Sequence, residues 1–95
     1  MHVISRKKLL QAAEQHAQLA GPLDVWYRIA KKADWGSLVD VRRIFPAADV
    51  VDRYIVFNIK GNAFRLITEI NYHTRIIFLR GVLTHAEYSR GGWKK

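Results

Sequence analysis

The segment from residue 54 to residue 83 constrains the fold most strongly, because it is rich in β-branched and aromatic residues and is divided by two short turns. Such runs are typical of β-strands. The predicted strands are Tyr54–Ile59, residues 63–72 and residues 75–83. In the first turn, Gly61 can adopt a positive φ at little cost. Turns this short cannot hold the crossover that parallel strands require, so the sequence predicts an antiparallel meander.

The first third of the chain predicts two helices joined by a tight turn. Ser5 can cap a helix over residues 6–19, because its hydroxyl can accept a free backbone N–H of the first turn. Gly21 and Pro22 are expected to end that helix and to begin a second one, since proline is tolerated in a first helical turn. The apolar residues predicted to face the core recur at helical spacing: Leu9, Leu10, Ala13, Ala17, Leu23, Trp26, Tyr27 and Ala30. We therefore expect a helical hairpin.

The order of these elements predicts the fold class. The short apolar run His2–Ile4 is a candidate strand that would complete the sheet. The middle of the chain is less regular, and one short helix is expected over residues 37–44, ending before Pro46. Helices followed by strands predict an α+β fold, in which an N-terminal helical hairpin packs on a small, mainly antiparallel β-sheet. We expect residues 1–95 to form one domain.

The net charge points to a polyanionic partner. Sixteen Lys and Arg residues against eight Asp and Glu residues give a net charge of +8 and a pI near 10.2. Such a balance favours nucleic acid or a nucleoprotein, because binding releases condensed counterions. The alternatives are an inert basic surface and a basic patch that an acidic protein neutralises.

The same composition indicates where the protein works. The chain has no cysteine, which excludes disulfides and thiolate metal sites and fits a reducing compartment. No run reaches the roughly 18 to 20 apolar residues of a membrane span. The first residues lack the apolar stretch of a signal peptide. We therefore expect a cytoplasmic protein with no membrane partner.

The segment from Thr84 to Tyr88 is the best candidate for chemistry, because it places an imidazole and a phenol three residues apart after the last predicted strand. RNA can be cut without a metal when a base activates the 2′-OH, cations stabilise the phosphoryl oxygens and an acid protonates the leaving oxygen. His85 is the best acid or base, since imidazole titrates near neutral pH. The alternative is a capping or surface histidine.

Four cations could hold the phosphates of RNA. Arg65 interrupts an apolar strand, where a buried guanidinium would be costly without an anion, so it is the best oxyanion clamp. Arg80 has the same context within a strand, and Arg75 lies at the start of that strand. For each strand arginine the alternative is a solvated position on an open sheet face. Lys60 lies in a turn, where a solvated lysine is the ordinary case.

Three further residues could contact a nucleotide. Tyr88 could stack on a base or share a proton transfer, or it could simply pack against the sheet. Asn58 could bind RNA or satisfy backbone groups near the turn. Trp93 lies in a basic C-terminal tail whose composition suits base stacking, although the plainer interpretation is a frayed terminus.

The carboxylates and glycines predict neither a metal site nor a bound cofactor. The acidic residues are scattered, so nothing resembles the acidic cluster of a two-metal nuclease. No histidine pair has metal-ligand spacing together with a carboxylate. There is also no glycine-rich phosphate loop.

Three segments together resemble the HigB family of bacterial toxins, within the RelE/ParE-like superfamily: residues 1–5, residues 54–67 and residues 82–88. The specific parts are Phe-Asn-Ile-Lys-Gly-Asn in the second segment and Thr-His-Ala-Glu-Tyr in the third. The resemblance implies a RelE-like domain that cuts mRNA on the translating ribosome and is neutralised by a helix-turn-helix, HigA-like antitoxin. It also implies that Arg65, His85 and Tyr88 occupy the active site, with Lys60 and Asn58 nearby.

One departure from the family pattern concerns the residue after Tyr88. The family often carries aspartate there, whereas this chain has Ser89. A chain that relied on this carboxylate would be attenuated, or would use another group. The sequence leaves two rival functions open, namely a ParE-like, non-enzymatic gyrase poison on the same scaffold and an RNA-binding module without catalysis.

Overall fold

The computed structural model describes residues 1–94, which form four α-helices and five β-strands. The helices are α1 (Arg6–Gln15), α2 (Ala20–Lys32), α3 (Leu38–Ile44) and α4 (His85–Arg90). The strands are β1 (His2–Ile4), β2 (Asp49–Val51), β3 (Tyr54–Ile59), β4 (Phe64–Asn71) and β5 (Ile76–Thr84). Short 3-10 helices lie at Ala17–Leu19 and Gly92–Lys94. None of the described helices is long and apolar enough to cross a membrane.

The five strands form one mixed sheet in the order β1-β5-β4-β3-β2. Strands β2 to β5 pair antiparallel with their neighbours, which confirms the predicted meander. Strand β1 completes the sheet, but it pairs parallel with β5 and thereby joins the first strand to the last. The chain between β1 and β5 contains three helices and strands β2 to β4, which is ample for the long connection that parallel pairing requires. The α+β class predicted from the sequence is confirmed.

The boundary between the first two helices differs from the prediction. Helix α1 ends at Gln15, because His16 adopts an extended backbone conformation (φ −133°, ψ 91°) and its ring packs against Phe64 at 5.0 Å. Helix α2 starts at Ala20, so Pro22 lies within its first turn, where a missing N–H costs no helical hydrogen bond. The Gly-Pro pair therefore marks the interior of a first turn rather than the break between the helices.

Burial in these helices agrees with the prediction only in part. Leu23, Trp26 and Ala30 of α2 are buried as expected. In α1 the buried residues are Leu9 and Ala12, whereas Leu10 is 54% exposed. Fewer apolar residues of α1 are therefore buried against the core than the sequence of this helix suggests.

The middle of the chain contains one predicted helix and one strand that the sequence analysis missed. Helix α3 follows Ser37 and ends before Pro46, as predicted. Strand β2 is only three residues long and pairs with β3 at the sheet edge. A strand this short carries too little alternation to be recognised from its own sequence.

Alternation along β4 divides the protein into two cores. Phe64 and Leu66 belong to the large cluster that includes Leu9, Leu23 and Trp26 of the N-terminal helices. Ile67 belongs to a smaller cluster on the other sheet face. The remaining members of that smaller cluster are Tyr54 and Val56, with Val51, Leu83, Tyr88 and Trp93 packed against them. The face opposite the N-terminal helices is therefore only lightly covered. Arg65 lies on this face, whereas its neighbours Phe64 and Leu66 face the large cluster.

Leu66→Ala should destabilise the fold by about 2–5 kcal/mol, because the side chain is fully buried and its removal leaves a cavity. Val39→Ala, at a position 61% exposed in α3, is the matched control and should leave stability nearly unchanged. Urea denaturation should show a lower midpoint with an unchanged slope for the first variant. Equal midpoints for both variants would contradict the assignment of Leu66 to the core.

Candidate active site

Arg65 and Asn58 form the floor of the candidate site. They are direct cross-strand partners in the β3–β4 pair and lie on the sheet face opposite the N-terminal helices. The whole Arg65 residue is only 8% exposed, whereas Asn58 is exposed. The structure thus brings together two of the predicted residues and decides against the solvated alternative for Arg65.

Backbone and amide oxygens hold the Arg65 guanidinium in place. Its Nη1 donates to the carbonyls of Asn62 (3.0 Å) and Phe64 (3.2 Å), and its Nη2 donates to Oδ1 of Asn62 (2.7 Å). Among residues 1–94, no carboxylate forms an ion pair with Arg65. A buried guanidinium that only neutral acceptors satisfy keeps its full charge available to an anion.

Helix α4 carries the other two predicted catalytic residues, and a capping box fixes its start. The Thr84 hydroxyl accepts the N–H of Glu87 (3.2 Å), and Glu87 Oε1 accepts the N–H of Thr84 (2.8 Å). The His85 N–H donates to the carbonyl of Ala63 (2.9 Å), which ties the helix to the β3–β4 turn. This helix was not predicted, although the pattern Thr-x-x-Glu was the sequence signal for it.

His85 and Arg65 are in direct contact. Nη2 of Arg65 lies 3.3 Å from Nδ1 of His85. A guanidinium only donates hydrogen bonds, so this contact is a hydrogen bond when Nδ1 is unprotonated and the ring proton is on Nε2. The His85 residue itself is exposed, which leaves the ring accessible to a substrate.

Tyr88 completes the group of three predicted catalytic residues. The Arg65 guanidinium carbon lies 5.2 Å from the centre of the Tyr88 ring, within the range of a cation–π contact. Because His85 and Tyr88 are three residues apart in one helix, both side chains can reach the same guanidinium. The phenol therefore packs against the site and also forms part of its wall.

Arg65, Asn58 and Tyr88 line a cavity of about 380 Å³, whereas His85 contacts Arg65 from outside the lining. This volume falls within the roughly 300–1,000 Å³ typical of small-ligand sites. Its lining residues are Arg42, Pro46, Ala47, Ala48, Asp49, Val56, Asn58, Arg65 and Tyr88. Its walls offer two cations, one carboxylate, an amide and one aromatic ring.

Arg42 is the site residue that the sequence analysis missed. It lies in the last turn of α3, where Nε donates to the carbonyl of Ala48 (3.0 Å) and Nη2 lies 4.0 Å from Asp49 Oδ1. The only local signal was a pair of adjacent arginines at a helix end. Such a pair is ordinary on a basic protein, and only the fold brings it opposite β4.

Two predicted RNA-binding arginines lie outside this cavity. Arg80 pairs with Glu69 (2.9 Å), which also binds Arg53 (2.6 Å). The hydrogen bond from Arg80, together with that from Arg53, lowers the pKa of Glu69 below its ordinary value. Arg75 pairs with Asp34 (2.6 Å) before the start of β5, whereas His85 follows its end. The nine residues of β5 separate Arg75 from His85, and a strand of that length spans about 30 Å at the usual rise per residue.

The two remaining predicted residues differ in their relation to the site. Lys60 is exposed in the β3–β4 turn, next to the segment that binds Arg65 and His85, but it does not line the cavity. Trp93 is not part of a frayed tail, since it lies in the 3-10 helix Gly92–Lys94 and packs on Tyr88. Residues 1–94 contain no group of three or more His, Cys, Asp or Glu residues that could hold a metal ion.

The cap of α4 should give the protein an acid-sensitive component of stability. The Thr84 N–H, together with the Thr84 hydroxyl contact, lowers the pKa of Glu87, so its carboxylate stabilises the fold. Glu87→Gln should therefore be less stable than wild type at neutral pH. The difference should be complete above the ordinary carboxyl pKa of about 4.3 and vanish as the pH falls through the lowered folded value.

Urea unfolding over a pH series measures this effect. Glu14→Gln, at an exposed position of α1, is the matched control for removing one negative charge from a basic protein. A stability difference between wild type and Glu87→Gln that stays constant from neutral to acidic pH would contradict the assigned role of the carboxylate.

Comparison with known proteins places the chain in a family. Residues 19–91 match the family model described as HigB toxin, a RelE-like toxic component of a toxin–antitoxin system. The chain is 30% identical to the mRNA interferase toxin HigB of Escherichia coli K12, over 93% of this chain and 88% of the relative. It is 29% identical to an mRNA interferase HigB of E. coli O6:H1, over 95% of this chain and 90% of the relative. An mRNA interferase HigB of Shigella flexneri is also 30% identical. The chain therefore belongs to the HigB family of toxins.

Proposed function

We propose that this protein is the endoribonuclease toxin of a toxin–antitoxin pair and that it cuts mRNA on the translating ribosome. The observation that carries the proposal is a buried Arg65 guanidinium without a carboxylate partner in residues 1–94, in contact with the exposed imidazole of His85. The relatives named mRNA interferases and the net charge of +8 support the same substrate class.

The reaction proposed is an internal transfer at phosphorus. The ribose 2′-OH attacks the adjacent phosphorus and loses its proton, while the bond from phosphorus to the 5′ oxygen breaks. The leaving oxygen takes up a proton, so the products are a 2′,3′-cyclic phosphate and a 5′-hydroxyl end. Negative charge develops on the non-bridging oxygens, where a fixed cation gives the largest stabilisation.

Arg65 and His85 can exchange partners when a phosphate arrives. The contact between Nη2 and Nδ1 is long at 3.3 Å, and the donor is charged, so a phosphate oxygen is a stronger acceptor for it. Transfer of Nη2 to the phosphate frees Nδ1 of His85 next to the reacting atoms. His85 then exchanges the proton of the reaction, while Arg65 stabilises the phosphorane.

The cavity walls position the nucleotide. Tyr88 offers a ring for packing against a base or sugar, and Asn58 offers both donors and an acceptor beside Arg65. Arg42 supplies a second cation on the opposite wall, and Lys60 extends the basic rim toward the β3–β4 turn. Arg75 and Arg80 are assigned to general attraction for RNA, because each is engaged with a carboxylate away from the cavity.

The proposed partners follow from the same features. A ribosome presents a dense array of phosphates, which attracts a protein of net charge +8 and delivers the message to the cleft. We assign neutralisation to a helix-turn-helix, HigA-like antitoxin. The protein is proposed to act in the cytoplasm, where translating ribosomes are found.

Cleavage of a translated message tests the function. Wild type should arrest growth and cut mRNA on purified translating ribosomes. His85→Ala and Arg65→Ala should each lower the cleavage rate by about 10²-fold or more, since each removes a proton carrier or an oxyanion donor. His73→Ala, at an exposed turn near Arg75, is the control and should cut like wild type.

Two outcomes would overturn the proposal. One is the absence of cleavage by wild type together with equal toxicity of His85→Ala. The other is inhibition of DNA gyrase in a supercoiling assay while translated mRNA stays intact. The second result would favour the non-enzymatic function known for ParE-like proteins.

A further inference from the structure

Trp93 does not line the cavity, but it is partly buried and packs on Tyr88, which does. The indole stacks on the Tyr88 ring, with centroids 5.1 Å apart and planes at 18°. The same indole also contacts Tyr54, a buried side chain of β3, with centroids 5.5 Å apart and planes at 63°. Trp93 therefore lies in contact with both Tyr88 of α4 and Tyr54 of β3.

A hydrogen bond adds to this stack. Nε1 of Trp93 donates to the Tyr88 carbonyl at 2.9 Å, and the Gly91 N–H donates to the same oxygen at 3.1 Å. The chain can fold back in this way because Gly91 ends α4 in the left-handed region (φ +77°), where a side chain would be strained. The Tyr88 carbonyl at the end of the helix thus accepts two hydrogen bonds, one from the backbone of the cap and one from the indole.

Helix α4 needs such support, since it has only six residues and none of them is buried. A helix of this length is not stable alone, so tertiary contacts must hold it. At its start the capping box and the His85 N–H supply those contacts. At its end Tyr88 packs on the small cluster of the sheet, and Trp93 adds the stack on Tyr88 and the hydrogen bond to the Tyr88 carbonyl.

We propose that Trp93 is a positioning residue, which acts through Tyr88 on the Arg65 guanidinium and does not stack on RNA. Tyr88 contacts both the indole and the guanidinium, so a change in the first contact moves the ring that borders the second. This proposal rests on the proposed function for its kinetic consequence. Its structural consequence holds in the free protein and can be measured separately.

The structural arm uses NMR of the free protein. Trp93→Ala should shift the aromatic signals of Tyr88 and His85 and the Nε signal of Arg65. Trp93→Phe retains a flat ring and should largely restore them, whereas Trp93→Leu, which fills space without a flat ring, should not. Unchanged Tyr88, His85 and Arg65 signals in a folded Trp93→Ala protein would overturn the proposal, whatever the protein's activity.

The kinetic arm uses single-turnover cleavage of ribosome-bound mRNA at increasing toxin concentration. Trp93→Ala should lower the saturating rate constant by about tenfold, because the Arg65 guanidinium is displaced from the phosphate. The half-saturating concentration should stay unchanged. Trp93→Phe should recover most of the rate. A higher half-saturating concentration with an unchanged rate constant would instead show direct stacking on RNA and overturn the proposal.

Two controls separate positioning from other effects. Lys94→Ala removes the charge of the exposed neighbour of Trp93, whose Nζ lies 6.0 Å from the centre of the indole ring at the outer limit of a cation–π contact, and should retain wild-type rates. An equal loss in Lys94→Ala and Trp93→Ala would show that the tail acts as a cation for RNA and would overturn the proposal. Thermal unfolding of each variant confirms that the assays compare folded proteins, and failure of wild type to cut any mRNA refutes the proposed function without touching the NMR result.

Discussion

The placement of one guanidinium organises the rest of this protein. Arg65 lies in the middle of an apolar strand, is almost fully buried and is satisfied by uncharged oxygens. A buried charge without a counterion is unfavourable, so the surrounding structure must be rigid enough to hold the acceptors in position. Three of its four hydrogen-bond contacts come from the turn and strand start at residues 62–64, and the fourth comes from His85.

The β3–β4 turn therefore serves two functions in the same few residues. Asn62 binds the guanidinium through its carbonyl and its side-chain oxygen, and the carbonyl of Ala63 receives the N–H of His85. Lys60 and Gly61 adopt positive φ (54° and 62°), which lets the chain reverse within this short turn. Because one turn fixes both the cation and the imidazole, their relative position does not depend on the distant helices.

The sequence predicts the parts of this arrangement that arise from local patterns. The meander follows from three β-branched runs and their turns, and Arg65 stands out because a charge interrupts such a run. His85 and Tyr88 stand out as an imidazole and a phenol close together after the last strand. Parallel pairing of β1 with β5 and the approach of Arg42 to β4 depend on contacts between distant segments, so no local pattern contains them.

The helix that the capping box begins and the packing of Trp93 are two features that the sequence alone does not predict. The Thr-x-x-Glu pattern was visible, but only six residues separate Thr84 from Gly91, so propensity alone could not favour a helix there. Trp93 has the composition of a flexible tail, and its packing becomes apparent only when Tyr54 and Tyr88 are seen to offer it two ring surfaces.

The distribution of carboxylates explains why the site stays electropositive. Five carboxylates of residues 1–94 form ion pairs with arginines, and those of Glu69 and Asp34 engage arginines outside the cavity. Asp49 is the acidic residue that lines the cavity, and it lies 4.0 Å from Arg42, at the outer limit of an ion pair. An exposed pair at that distance is weak and easily exchanged. In the reaction that we propose, a phosphate therefore recruits Arg42 from Asp49 and Arg65 from His85 while the neutral contacts that hold Arg65 remain in place.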